Sequence, residues 1–230
     1  MQLSIIIVSW NTCRLLRRCL RSIASYPPRN NYEVIVIDNG SVDGSADMVR
    51  SDFPDVCLVP NVRNTGFAPA NNQGFKVAKG SYVLLLGSDT EVRDCALQSM
   101  IAFLRSHPEA GAVSPKLISP DGRLQRSCKR FPTLGNALAM YCSLHWLNKH
   151  YLMEDFDHDS LRQVDQPDAT SIMFRRELIE EIGGFDENYS ILYNDVDLCQ
   201  KLKKRGKSRR LIRGSANNTT IKSRKTPTIA

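Results

Sequence analysis

Apolar residues in the first half of the chain recur with two alternating periods, short near-continuous runs and helical spacings. Leu3 to Val8 is an apolar run of strand length. It is followed, after Asn11, by Leu15, Leu16, Cys19, Leu20 and Ile23 at helical spacing, with Pro27-Pro28 as a stop. Tyr32 to Ile37 is rich in Val and Ile, as expected of a strand covered on both faces. A short helix is expected near Ala46–Arg50, a strand near Val56–Pro60, a helix through Lys79, and a strand over Ser81–Leu86. Asn11 and Asp94 are expected to cap the helices that follow them, the second carrying Leu97, Met100, Ile101 and Leu104 inward. This strand–helix alternation predicts an α/β domain built on a mostly parallel sheet.

Beyond Gly111 the rhythm changes. Ala112 to Ile118, the turn Ser119-Pro120-Asp121-Gly122 and Leu124 form a strand and hairpin. Residues 133–152 are apolar and aromatic and are expected to be helical. Thr170 to Phe174 is a strand, Arg176 to Ile182 a helix closed by Gly183-Gly184, and Val196 to Lys204 a further helix. The pattern gives one compact unit with a soft boundary: residues 1–115, then 116–206, then a basic tail over 207–230 expected to be disordered.

Charge sharpens that division. The net charge is +7, yet residues 201–230 hold eleven of the thirty-one Lys and Arg and no acid. The first 200 residues carry twenty bases against twenty-four acids. Basicity confined to a tail, with no interleaved aromatic residues, gives no support for a nucleic-acid partner. No apolar run is long enough to span a bilayer, and the opening run lacks the flanks of a secretion signal. Seven cysteines without metal-ligand spacing read as reduced core thiols of a cytoplasmic protein, not as a zinc site.

Polar clusters follow three predicted strands: Asp38-Asn39, Asn64 to Asn72, and Ser88-Asp89-Thr90. Ligands of open α/β sheets bind where such loops converge. Neither a G-x-G-x-x-G nor a Walker loop is present, so a nucleotide held by acidic loops with a cation on its phosphates fits better than a dinucleotide fold.

Six motifs, in order, resemble family 2 glycosyltransferases over about residues 3–206, with the rhamnosyltransferase-like branch most similar. They are Ile7-Val8-Ser9-Trp10-Asn11, Val36 to Ser45, Asn64-Thr65-Gly66-Phe67-Ala68 with Asn71-Asn72-Gln73-Gly74, Leu84 to Val92, Gly183-Gly184-Phe185-Asp186-Glu187, and Asn194-Asp195-Val196-Asp197-Leu198. The resemblance implies a GT-A fold, a Rossmann-like sheet flanked by helices with an acceptor-side lobe. It also implies inverting transfer from a nucleoside-diphosphate sugar to a saccharide or lipid-linked saccharide. By position, Val8, Ser9, Asp38, Asn64, Asn72 and Ser88 would contact the nucleotide, and Asp89 would bind Mg²⁺ or Mn²⁺. Asp195 would be the general base and Asp186 would help bind the acceptor.

Structural readings stand beside these roles. Asp89 also suits a turn after a buried strand. Asn194, Asp195 and Asp197 suit the first turn of a helix. Trp146 and Tyr151 read as core, although a lipid-linked acceptor would give an apolar patch there a use in peripheral contact with the inner membrane face. Gly87 stands where the family's metal motif usually has Asp or Asn, and Asn194 where an acid commonly precedes the base. The departures, with the unusual C-terminus, leave open a catalytically weak or inactive sugar-nucleotide-binding homologue.

Overall fold

A computed structural model describes the chain except residues 134, 137, 139–141, 143–147, 155, 157–161, 190–192, 205–209, 215–219 and 224–230. Trp146 and much of the expected 133–152 helix fall outside the described residues, and 149–154 form turns.

The first half alternates as the apolar pattern predicts: β1 (Leu3–Ser9), α1 (Cys13–Ser25), β2 (Tyr32–Asp38), α2 (Ser45–Asp52), β3 (Cys57–Pro60), α3 (Phe67–Val77) and β4 (Tyr82–Leu86). The order β3-β2-β1-β4 is parallel throughout, with Ser9 in register with Asp38 at the strand ends. Then β5 (Thr90–Val92), α4 (Ala96–Ser106), β6 (Ala110–Ile118) and β7 (Leu124–Gln125) lead to an isolated ribbon, β8 (Cys128–Lys129) with β10 (Gln166–Pro167). β9 (Arg162–Val164) precedes the second strand of that ribbon. β11 (Ser171–Arg175) enters the main sheet antiparallel, between β4 and β6. It is followed by α5 (Arg176–Ile182) and α6 (Asn194–Lys204).

Two apolar layers cover the two sheet faces, because successive strand residues point to opposite sides. Leu3, Ile5, Ile7, Val34, Val36, Leu84 and Leu86 join Leu16, Leu20, Ile23, Leu97 and Leu104 on one side. Ile6, Ile35, Ile37, Val83 and Leu85 join Phe174, Leu178, Phe185 and Leu198 on the other. Each such side chain contributes about 1.5–3 kcal/mol through burial. The packing therefore fixes the loops beyond β1, β2 and β4 on a rigid base.

Several expectations need correction. Neither Asn11 nor Asp94 caps a helix. Both have positive φ (53° and 48°), the N-caps are Thr12 and Cys95, and no side-chain capping bond is made at either. Asn11 ties loops instead: its N–H donates to Ser41 Oγ and its Oδ1 accepts from the Val42 N–H. Only Cys19, Cys128 and Cys199 are buried, while Cys57, Cys95 and Cys142 are exposed. The tail is not wholly unstructured. β12 (Arg210–Gly214) pairs with β6 and β9, and β13 (Thr220–Ser223) pairs with β5 and β6, burying Ile221 completely. Leu211-Ile212 and Ile221 are short apolar signals inside a basic stretch, too few to stand out by composition. Among the described residues, no helix is long and apolar enough to cross a membrane.

Candidate active site

The ends of β1, β2 and β4 carry the polar loops. Strand β1 delivers Ser9, whose hydroxyl lies 2.8 Å from Thr12 Oγ1, and Thr12 donates on to Ser88 Oγ at 3.0 Å. This hydroxyl chain joins the β1 and β4 loops. Thr12 escaped the sequence reading because it stands outside the motif residues.

Asp38 is 3% exposed. Its Oδ2 accepts from the Ser41 N–H at 3.1 Å, whereas its Oδ1 is buried with no hydrogen-bond partner among the described residues. An unsatisfied buried carboxylate oxygen is costly and suits a donor group on a ligand. Asn39, also buried, is a knot: its Oδ1 accepts from Asn61 Nδ2 and from the N–H and hydroxyl of Thr65, and its Nδ2 donates to Asn64 Oδ1. Asn64 Oδ1 also accepts from the Gly66 N–H, so that side chain shapes the loop.

The chain after β4 turns sharply. The Gly87 N–H donates to the Thr170 carbonyl at 2.8 Å, and the Thr90 hydroxyl donates back to the Gly87 carbonyl at 2.6 Å. A Cβ on Gly87 would lie 2.8 Å from Asp89 Oδ1. Glycine at this position therefore makes room for the Asp89 carboxylate. Burial raises the Asp89 carboxyl above its ordinary value, opposed only by a backbone hydrogen bond. No ion pair with Asp89 occurs among the described residues, so the carboxylate lacks a positive partner.

A cleft of about 690 Å³ brings Asp89 together with Val8, Asn71, Lys129, Tyr151, Gln166, Asp168, Tyr193 and Asp195. Helix α6 presents Asp195 in its first turn, where Oδ1 accepts from the Val196 N–H and Oδ2 accepts from Gln166 Nε2 at 2.9 Å. The ribbon β8–β10 supplies Lys129 and Gln166 in register, and Lys129 lies 3.5 Å from Asp168. Burial works to lower the Lys129 ammonium, but Asp168, Tyr151 and Asp195 together hold it above its usual value. Burial likewise raises the Tyr151 hydroxyl, opposed by Lys129. Tyr151 is thus a cleft residue and not core, a correction. Strands of two residues show no periodicity, which is why Lys129 and Gln166 were not visible in the sequence.

Of the expected site residues, Val8, Asp89 and Asp195 line this cleft; Ser9, Asp38, Asn64 and Ser88 belong to the polar loops described above and are not among its lining residues, and Asn72 and Asp186 lie elsewhere. Asn72 lines a separate cavity of about 500 Å³ with Phe75, Arg176 and Phe185, and its amide is engaged by Phe185 and Glu187. Asp186 accepts from the N–H and side chain of Asn188; these bonds, the backbone one foremost, and nearby Lys201 hold it below its ordinary value. It is not among the residues lining the cleft.

For a divalent cation, the cleft offers the desolvated carboxylate of Asp89, and no group of three His, Cys, Asp or Glu that could hold a metal exists among the described residues. Such a set fits a cation held mainly by a ligand's phosphate oxygens.

Comparison with known proteins bears on the fold and the family. The chain is 26% identical over 220 residues to an N-acetylglucosaminyl-diphospho-decaprenol L-rhamnosyltransferase of Mycobacterium tuberculosis, covering 89% of this chain and 71% of that one. It is 28% identical over 209 residues to the O-antigen biosynthesis protein RfbC of Myxococcus xanthus, with 89% of this chain and 16% of the relative matched. The fold matches S. aureus TarS in complex with UDP (TM-score 0.69, 20% identity, 99% of this chain and 61% of that one). The chain thus spans between about a sixth and less than three quarters of these proteins. Residues 4–183 match the model of glycosyl transferase family 2, and the chain belongs to that family.

Proposed function

We propose that this domain transfers a sugar, with inversion, from a nucleoside-diphosphate sugar to a hydroxyl of a saccharide or lipid-linked saccharide in cell-surface polysaccharide synthesis. The observation that carries the reading is that Asp89 from β4 and Asp195 from α6 line one cleft. The rhamnosyltransferase relative supports a rhamnosyl donor and a lipid-linked acceptor, and with it a place at the inner face of the cell membrane.

The unpartnered Asp38 Oδ1 would accept from the base or ribose, and the Ser9–Thr12–Ser88 hydroxyls would border the nucleotide. Asp89 would hold Mg²⁺ or Mn²⁺, which when bound neutralises the charge that develops on the leaving diphosphate. Asp195 takes the proton of the attacking acceptor hydroxyl. That oxygen bonds to the anomeric carbon as the carbon–oxygen bond to the diphosphate breaks on the opposite face. Lys129, Tyr151 and Tyr193, which also line the cleft, would border the acceptor.

The second reading is a sugar-nucleotide-binding homologue with weak or no turnover. It is favoured by Gly87, where the metal motif usually has a side-chain ligand, and by Asn194, which replaces an acid. Calorimetric titration with UDP, dTDP and GDP in the presence of Mn²⁺ identifies the base, and hydrolysis of the matching sugar nucleotides tests chemistry. Tight binding with no turnover of any sugar donor selects the second reading; no binding of any nucleoside diphosphate removes both.

A further inference from the structure

We infer that Gln166 is a positioning residue for Asp195, fixing the carboxylate so that it meets the acceptor hydroxyl; this rests on the proposed role of Asp195 as base. Gln166 is 3% exposed and stands on the short ribbon strand β10, directly across from Lys129 on β8. Its Nε2 donates to Asp195 Oδ2 at 2.9 Å, while its Oε1 is buried and accepts no hydrogen bond among the described residues. A carboxylate only accepts, so the opposite amide orientation would set oxygen against oxygen. The amide therefore leaves its own oxygen unsatisfied in order to donate to Asp195.

The other oxygen of Asp195 accepts from the Val196 N–H. Two neutral donors thus fix the carboxylate plane and leave further lone pairs for a substrate proton. The charged neighbour that faces this site, Lys129, is drawn to Asp168, and Asp195 makes no ion pair among the described residues. Tyr151 and the buried Cys199 are the other titratable groups that interact with it.

The test compares Gln166→Met, close in shape but without a donor, with Gln166→Glu, closer in shape but bringing a like charge to Asp195. A packing role would make Glu the milder change. A positioning role makes it the worse: turnover of the sugar nucleotide used by the wild-type protein should fall about tenfold or more in Gln166→Met and further in Gln166→Glu, with nucleoside-diphosphate affinity unchanged. In protein labelled with ¹³C at aspartate carboxyls, the resonance lost in Asp195→Asn should move in Gln166→Met. An unmoved resonance, a moved one with wild-type turnover, or Glu milder than Met overturns the inference even where Asp195→Asn is inactive. Full turnover in Asp195→Asn instead removes the base assignment, and the positioning role with it.

Discussion

Asn72 and Phe185, 113 positions apart in sequence, exchange two hydrogen bonds: Asn72 Nδ2 donates to the Phe185 carbonyl at 3.0 Å, and the Phe185 N–H donates to Asn72 Oδ1 at 2.9 Å. The Phe185 ring packs against Phe67 and Phe75 of the same helix, with centroids 5.4 and 5.9 Å away. The pair fastens α3, whose N-terminal Phe67 lines the cleft, to the loop after α5. Gly184 belongs to the fastening, since a Cβ there would lie 2.5 Å from Asn72 Oδ1 and its φ is +74°.

Asn72→Ala should therefore act on stability and leave the nucleotide alone. The expected loss is about 1–3 kcal/mol in chemical denaturation, from unsatisfied groups at a partly buried site. Nucleoside-diphosphate affinity measured by calorimetry should stay within about twofold. A selective loss of affinity with unchanged stability would restore Asn72 to the donor site.

Asp195→Asn should reduce sugar transfer by about two to four orders of magnitude, the usual yield of general base catalysis. The change preserves shape and leaves the Asp38 and Asp89 loops untouched, so calorimetry should show nucleotide affinity nearly intact. Retained turnover would remove Asp195 from the mechanism.

Asp89 couples function to stability with opposite signs. Burial raises its folded-state value, so the folded protein binds the proton more tightly than the unfolded chain. Its contribution is complete at low pH and is lost as pH rises through the raised value. Without cation or nucleotide, Asp89→Asn should gain stability relative to wild type as pH rises from below the ordinary carboxylate range to above it, read as melting temperature. With Mn²⁺ and the bound nucleoside diphosphate, the same change should weaken affinity by about 10- to 100-fold. An unchanged metal dependence would count against Asp89 as ligand.

Gly87→Ala tests how closely the Asp89 loop is fitted. The added Cβ would meet Asp89 Oδ1 at 2.8 Å, and a short carboxylate has little freedom to yield. Catalytic efficiency should fall about tenfold or more while the melting curve changes little. Wild-type kinetics in this variant would show that the carboxylate has room to move.

Much of this architecture is written in the apolar pattern, and the reason is physical. Strands β1, β2 and β4 are buried on both faces, so Ile5-Ile6-Ile7, Val34 to Ile37 and Val83 to Leu86 have to be apolar throughout. Helix α1 must turn Leu16, Cys19, Leu20 and Ile23 to one side. Asp89 and Asp195 were legible because they sit in motifs at the ends of such elements, and they do share the cleft. Thr12, Lys129, Gln166 and Tyr151 were not, since they owe their places to single turns and two-residue strands whose pairing crosses long stretches of chain. Asn64 and Asn72 look alike as amides of one polar cluster, and only tertiary contacts show both of them bonded to the protein itself. The tail strands were hidden by their charge.

Strand β11 lies between β4 and β6, antiparallel to both. The second half of the chain is thereby woven into the sheet beside the first, and the Gly87–Thr170 bond seals the seam at the cleft floor. A sheet shared this way makes the cleft floor one continuous surface, and a gene fragment ending near residue 115 would leave β4 with a raw sheet edge open to self-association.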